Sequence, residues 1–202
     1  MTTNDSTKDI EHFNRWSRTY DHSWIQRYAD RFHPEMLTAV TNEIAAPNTV
    51  LDVGCGTGRL LHKAHALWPS AQLLGVDPAE GMVELARGRL PSATIYMAAA
   101  ESLPLPDSSV DVVLSSISFH HWSDQLGALR EISRVLRAGG CFCLADISAP
   151  AWLAKLLRHS KVKSPAATSQ FYDEAGLTVK VQHRTFTRFV FLTLGVNESR
   201  KV

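Results

Sequence analysis

Cysteine is scarce. Three residues, Cys55, Cys141 and Cys143, with no Cys-x-x-Cys pair, cannot frame a 202-residue chain with disulfides. Their odd number reads as free thiols in a reducing compartment, so a cytoplasmic location is expected and a zinc site is not. A charge excess of either sign is also missing: 21 basic residues face 20 acidic ones, for a formal net charge of +1. Nucleic-acid binders usually carry a basic excess or stripe, so nucleic acid is not an expected partner. No apolar run approaches the roughly 20 residues of a membrane span. The first residues, MTTNDSTKDIEHFNRW, lack the basic stretch and apolar run of a secretory leader. Internal repeats and low-complexity tracts are absent too. What is present, 45% hydrophobic and 20% charged residues, suits one globular domain with a full core.

The apolar period organises the chain. Phe32, Met36, Leu37, Val40 and Ile44 recur at helical spacing within a helical stretch from Phe13 to Ala46. Pro34 suits a first helical turn, so the stretch reads as at least two helices. The period then shortens. Thr49–Val53, Gln72–Val76, Thr94–Ala98, Val110–Ser115 and Cys141–Ile147 read as buried strands. Helices lie between them, one through Leu60, Leu61, Ala64 and Leu67, one over Ala79–Leu90, and one from Leu126 to Leu136 that Gly139 and Gly140 would cap. Alternating strands and helices imply a parallel sheet covered on both faces. Beyond it, Ala151–Ser160 and Pro165–Ala175 read as helices. Leu177–Val181 and Phe189–Leu194 read as strands with no helix between them, antiparallel if they are neighbours. The expected fold is α/β, Rossmann-like and doubly wound: a mostly parallel seven-stranded sheet with an antiparallel last strand and N-terminal helices. The whole chain, 1–202, is expected to be one domain. Residues 9–46 would form a helical cap, 47–148 a ligand-binding core and 149–202 elements on the substrate side.

The strongest local signal is Val50-Leu-Asp-Val-Gly-Cys-Gly-Thr-Gly58. Gly54, Gly56 and Gly58 lie between a strand and a helix, where bare backbone lets a ligand approach. Such a turn sits outside the carboxyl end of a parallel strand, the place where open α/β sheets bind ligands. In a dinucleotide fingerprint the third glycine follows two intervening residues; here it comes one residue early. Asp52, just before the turn, suits a cation and repels a pyrophosphate. Asp77, in Gly75-Val-Asp-Pro at the end of the second strand, can accept hydrogen bonds from ribose hydroxyls. The competing reading is a helix-capping carboxylate.

These residues and several further runs resemble the class I S-adenosylmethionine-dependent methyltransferases, in particular the type 11 branch that includes quinone-biosynthesis enzymes. The further runs are Gly75 to Met82, Ala100-Glu-Ser-Leu-Pro-Leu-Pro, Val110-Asp-Val-Val-Leu-Ser-Ser, His120-His-Trp-Ser-Asp and Leu129 to Gly140. They follow the family's order over about residues 48–148, and Phe13 to Asp21 is similar to its N-terminal helix. The resemblance implies a methyltransferase that uses S-adenosyl-L-methionine, releases S-adenosyl-L-homocysteine and acts on a small molecule through an oxygen, nitrogen or carbon acceptor. It implies that Asp52, Gly54, Gly56 and Gly58 hold the methionine part and that Asp77 takes the ribose. Pro78 and Met82 would lie along the adenine or ribose, Ala100 and Glu101 near the base, Ser115 and Ser116 near the methionine end, and Tyr20 over the cofactor.

Two departures stand out. The family usually has Gly-Asp-Ala-Glu after the third strand, and its Asp accepts from the adenine amine; here Ala99 replaces that Asp in Ala98-Ala-Ala-Glu101. Adenine is then left to backbone groups, Glu101 or water, at a cost of about 1 kcal/mol. The long lid insertion of larger relatives is also missing, which leaves the site open or completed by the N-terminal helices.

His120 and His121 are the candidates near the reacting methyl, since an imidazole titrates near neutrality and can take a proton from an acceptor. Only one of two adjacent residues is expected to face the site, and His121 matches the family position better. Catalysis without a base remains open, because alignment alone supplies much of the rate. Phe13, Trp16 and Trp24 read first as core, with a substrate pocket as the alternative. His62 and His65 are spaced as metal ligands can be but lack a third, so no metal is expected. Residues 151–202 carry nine basic and three acidic side chains, read as a solvated surface that could attract an anion. A non-catalytic cofactor-binding module and a nicotinamide oxidoreductase stay open as other functions. DNA-base methylation is disfavoured because Ser116-Ile-Ser-Phe stands where an Asn- or Asp-Pro-Pro-Tyr turn is common. A monomer or homodimer is expected.

Overall fold

In the computed structural model, residues 3–21, 23–148, 161–185 and 189–198 are described. Two N-terminal helices, α1 (Thr3–Tyr20) and α2 (Trp24–Glu43), precede the alternating core. The core runs β1 (Thr49–Val53), α3 (Arg59–Leu67), β2 (Gln72–Asp77), α4 (Glu80–Arg89), β3 (Thr94–Met97), β4 (Val110–Ser116), a 3-10 turn (Phe119–His121), α5 (Gln125–Val135) and β5 (Leu136–Ile147). It closes with α6 (Pro165–Glu174), β6 (Thr178–Arg184) and β7 (Val190–Val196). The predicted helix at 151–160 lies outside the described residues.

Seven strands form one sheet in the order β3-β2-β1-β4-β5-β7-β6. β1 pairs in parallel with β2 and β4, and β7 runs antiparallel to both β5 and β6. The expected doubly wound sheet with an antiparallel last strand is therefore the observed one, and β6 and β7 pair although their link carries no hairpin residues. The strand order reverses between β1 and β4, and loops diverge there to open a crevice at the carboxyl ends of the strands.

Side-chain alternation splits the core into two layers. Val50, Val112, Leu114, Cys141 and Cys143 point to the face covered by α2, α3 and α4, with Phe32, Met36, Leu61 and Ala86. Leu51, Val53, Val113, Phe142 and Leu144 point to the other face, against α5 and α6. Both strand cysteines are fully buried, and burial pushes the Cys141 thiol up to about 12, so they pack as small apolar groups.

Two local expectations are corrected. Pro34 lies inside α2, not at its start. Proline cannot donate to the carbonyl of residue i−4. That carbonyl, on Asp30, instead accepts from Lys63 Nζ at 3.3 Å, so α3 supplies the donor that α2 lacks. Gly139 and Gly140 do not cap α5, which ends at Val135; they lie within β5. The pairing jumps from Val110↔Leu136 to Val112↔Cys141, so the glycines form a bulge. A Cβ on Gly140 would stand 2.9 Å from the carbonyls of Arg137 and Asp111, which explains glycine there without a helix cap.

Candidate active site

The turn after β1 is built around bare backbone. Gly54 and Gly56 have φ of 71° and 53°, in the left-handed region that favours glycine. A Cβ on Gly54 would stand 2.2 Å from Ser118 Oγ. Ser118 reaches that point because Ile117 takes φ of 52° and turns the chain after β4 toward β1. Ser118 Oγ donates to the Val53 carbonyl at 3.2 Å and lies 2.9 Å from Ser115 Oγ.

A cavity of about 110 Å³ opens over this turn. Its wall includes Tyr20, Gly54, Gly56, Asp77, Pro78, Met82, Ala100, Glu101, Ser116 and His121. A smaller adjoining cavity shares Tyr20, Gly54, Gly56 and Ser116 and adds Asp52 and His33. Of the site residues expected from the sequence, Gly58, Ser115 and His120 line neither. Gly58 packs against Ala86, to which its Cβ would be 3.3 Å away, and Ser115 is buried behind Ser118. His120 lines a third cavity, of about 590 Å³, which also includes His121 and Tyr20.

Two buried carboxylates set the electrostatics. Asp77 holds both sides of the crevice: Oδ2 accepts from Gly56 N and Oδ1 from Ala79 N, each at 2.9 Å. It is thus both a turn carboxylate at the start of α4 and part of the cavity wall, and burial pushes its carboxyl up to about 6. Asp52, 2% exposed, has no side-chain partner among the described residues. Burial first, and then the neighbouring Asp77 charge, push it up to about 8. A cation brought against Asp52 would reverse that shift.

Glu101 is engaged elsewhere. Its Oε1 accepts from the backbone N–H groups of Ser123 and Asp124, at 2.6 and 3.1 Å, and so ties the loop before α5 to the cavity wall.

Sequence reasoning missed several contributors. His33 on α2 is 2% exposed, and its Nε2 lies 3.0 Å from Ser116 Oγ. Burial and nearby Lys63 lower its pKa to about 3, so it is neutral. Lys63 Nζ lies 3.4 Å from Nδ1 and can only donate, so Nε2–H faces the serine. The available signal was a polar residue inside the apolar stripe of α2. α1 is held over the site by Asp21, which accepts from Thr57 Oγ1 at 2.6 Å and is ion-paired with Arg89. Asn14 Oδ1 accepts from Gly81 N at 3.0 Å, and Asp9 lies 3.2 Å from His121 Nδ1. His120 is paired with Asp146, Nδ1 to Oδ1, at 2.7 Å. Trp24, read first as core, is 69% exposed and lines the large cavity with Phe13 and Trp16. No group of acidic, histidine or cysteine side chains fit to hold a metal occurs among the described residues.

A glycine turn and two buried carboxylates at the switch point of a doubly wound sheet define a cofactor-binding α/β protein. Comparison with known proteins narrows the class: residues 51–144 match the family described as a methyltransferase domain, and the chain belongs to the class I, S-adenosylmethionine-dependent methyltransferase family. It is 40% identical over 116 residues to the uncharacterised methyltransferase YcgJ of Bacillus subtilis, covering 54% of this chain and 45% of that one. It is 34% identical over 138 residues to a malonyl-[acyl-carrier protein] O-methyltransferase of Hahella chejuensis, covering 67% and 48%. The chain thus spans about half the length of these curated relatives. Among solved structures, a methyltransferase of Haloferax volcanii in complex with the Trm112 activator superposes with a TM-score of 0.77 at 22% identity, over 92% of this chain and 97% of that one. At that identity the likeness concerns the fold.

Proposed function

We propose that the chain is an S-adenosylmethionine-dependent methyltransferase acting on a small molecule. The observation that carries the reading is the unpartnered, buried Asp52 beside the glycine cradle. An isolated buried carboxylate is costly unless it is neutralised or paired. The cofactor has a cationic amino-acid end, which offers that partner.

Other features of the crevice fit the same molecule. Asp77 uses one backbone N–H per carboxylate oxygen, which leaves lone pairs for ribose hydroxyls. Pro78, Met82 and Ala98 to Ala100 give the base an apolar wall. With Oε1 of Glu101 engaged by the loop before α5, the adenine amine falls to its other oxygen or to backbone. Tyr20 closes the cavity from α1. Bound there, S-adenosylmethionine supplies an electrophilic methyl group on a cationic sulfur. The protein's own part is to bind and orient, and to exclude water beneath α1.

In this reading residues 47–148 hold the cofactor, α1 and α2 cap it, and the C-terminal elements border the acceptor. Oxygen is the acceptor atom to test first, since one relative is named an O-methyltransferase. The test is titration calorimetry with S-adenosylhomocysteine, followed by transfer of label from methyl-labelled S-adenosylmethionine into a size-fractionated cell extract. Binding, with label in the small-molecule fraction that is lost in Asp52→Asn and Asp77→Ala, is expected. Label confined to protein or nucleic acid would contradict the substrate class.

A further inference from the structure

The cavity of about 590 Å³ adjoins the cofactor cavity, and Asp9, Phe13, Tyr20, Ile117 and His121 line both. Its size is that of pockets that hold drug-sized ligands. Phe13, Trp16, Trp24, Tyr28, Ile147 and Val190 make its wall mostly apolar and aromatic, and they come from α1, α2, β5 and β7. Two large apolar side chains of its wall are exposed, Trp24 at 69% and Ile147 at 38%. Exposed apolar surface of this kind marks a binding site.

Of the polar residues that line this space, His120 has a buried partner, Asp146, which does not itself line it but borders a smaller neighbouring cavity with His120. Asp146 at the end of β5 is 6% exposed and is fixed by the backbone N–H groups of His120, at 2.9 Å, and Ile147, at 2.6 Å. Its Oδ1 accepts from His120 Nδ1 at 2.7 Å. That bond settles the tautomer and leaves Nε2 of His120 as an acceptor with no partner among the described residues. His121, in contrast, turns Nδ1 toward Asp9, a half-exposed residue of α1.

We propose that this chamber binds a planar, apolar acceptor carrying a hydroxyl group, an aryl alcohol, and that His120 takes its proton while Asp146 acts as a positioning residue. The inference rests on the methyltransferase reading above. In the step, the hydroxyl oxygen forms a bond to the methyl carbon and the S–CH3 electron pair stays on sulfur. The O–H proton passes to His120 Nε2. The products are an aryl methyl ether, S-adenosylhomocysteine and a protonated imidazole that Asp146 stabilises. The charged and titratable groups around His120 are Asp146 on β5, Asp9 on α1 and Lys161 before α6, with His121 on the same turn, its ring centroid 4.1 Å away. Burial opposes the charged form of His120, but the two carboxylates outweigh it and raise its pKa above the ordinary value.

The full-length protein is titrated with 2-naphthol by calorimetry, with and without S-adenosylhomocysteine, and its methylation is followed by mass spectrometry. Wild type is expected to bind 2-naphthol and to form 2-methoxynaphthalene. Trp24→Ser, at an exposed position, is expected to weaken naphthol binding about tenfold and leave S-adenosylhomocysteine binding unchanged. His120→Gln should bind both ligands but turn over about a hundredfold more slowly near neutral pH. It should recover as pH approaches the naphthol's own pKa, near 10 as for other phenols. Asp146→Asn should shift the ascending limb of the pH–rate profile to lower pH, which a merely structural role would not do. Binding of S-adenosylhomocysteine without binding of 2-naphthol would overturn the acceptor class and leave the methyltransferase reading standing. Failure to bind S-adenosylhomocysteine would overturn both. Turnover by His120→Gln equal to wild type at neutral pH would remove the proton-transfer role.

Discussion

At the scale of single residues, Asp52 has the sharpest consequence. Its carboxyl is pushed up to about 8 in the folded chain, against an ordinary value of 3.8. Between those values the unfolded state has released the proton and the folded state retains it. Stability from this group is complete below about 4 and is lost as pH rises toward 8. Neutral His33 works in the opposite direction, with stability lost as pH falls from 6.5 toward 3. The difference between wild type and Asp52→Asn isolates the first effect. Thermal melts of the unliganded variant should fall less than wild type from pH 5 to pH 8. In wild type, S-adenosylmethionine should stabilise more at pH 8 than at pH 6, because its cationic end favours the ionised carboxylate. Gly54 gives a second prediction. Gly54→Ala should abolish measurable S-adenosylhomocysteine binding and lower the melting temperature. Adding Ser118→Gly removes the 2.2 Å collision but not the left-handed strain of about 1–2 kcal/mol, so rescue should be partial.

What the sequence displays at this scale is local chemistry. Asp52, Gly54, Gly56 and Asp77 were legible because each stands at a strand end whose neighbours in the chain set its surroundings. His33 and Asp146 were not. His33 meets Ser116 across 83 positions, and Asp146 meets His120 across 26. Such pairs exist only once helices and strands have packed.

At the scale of elements, α1 is the piece whose position decides the site. Its amphipathic pattern marks it as a helix but does not say where it docks. The docking depends on polar anchors, Asp21 with Arg89 and Thr57, and Asn14 with Gly81. A side chain at Gly81 would collide with Ser17 Oγ at 2.7 Å, so the helix lies directly on α4. Arg89→Ala, with Asp21 and Arg89 both about a quarter exposed, should change the melting temperature little. It should raise protease cleavage within α1 severalfold and weaken S-adenosylhomocysteine binding about tenfold. Unchanged cleavage and binding would mean that α1 is held by its apolar face alone. Pro34 and the Gly139–Gly140 pair show how local rules mislead for elements. In the sequence the proline suggests a helix start and the glycine pair a helix stop. Lys63 from another helix relieves the first, and crowding against the Asp111 carbonyl of a neighbouring strand requires the second.

At the scale of the whole molecule, alternating buried strands and amphipathic helices made the parallel core readable. The strand order follows from connectivity rules for such folds. The C-terminal pairing was the weak point, because residues 183–188 carry no hairpin signal and long-range pairing with β5 supplies the register. Likeness of fold extends over 92% of the chain to a solved methyltransferase, but one fold hosts many reactions. Among the described residues no helix is long and apolar enough to cross a membrane.

The proposed function stands on Asp52 and the glycine cradle as the holders of S-adenosylmethionine. Calorimetric titration of the wild-type protein and Asp52→Asn with S-adenosylhomocysteine at pH 6 and pH 8 tests it most directly. One site per chain is expected in wild type, with tighter binding at pH 8 than at pH 6. The variant should bind at least tenfold more weakly, with that pH dependence lost. Equal affinity in both proteins at both pH values would contradict it.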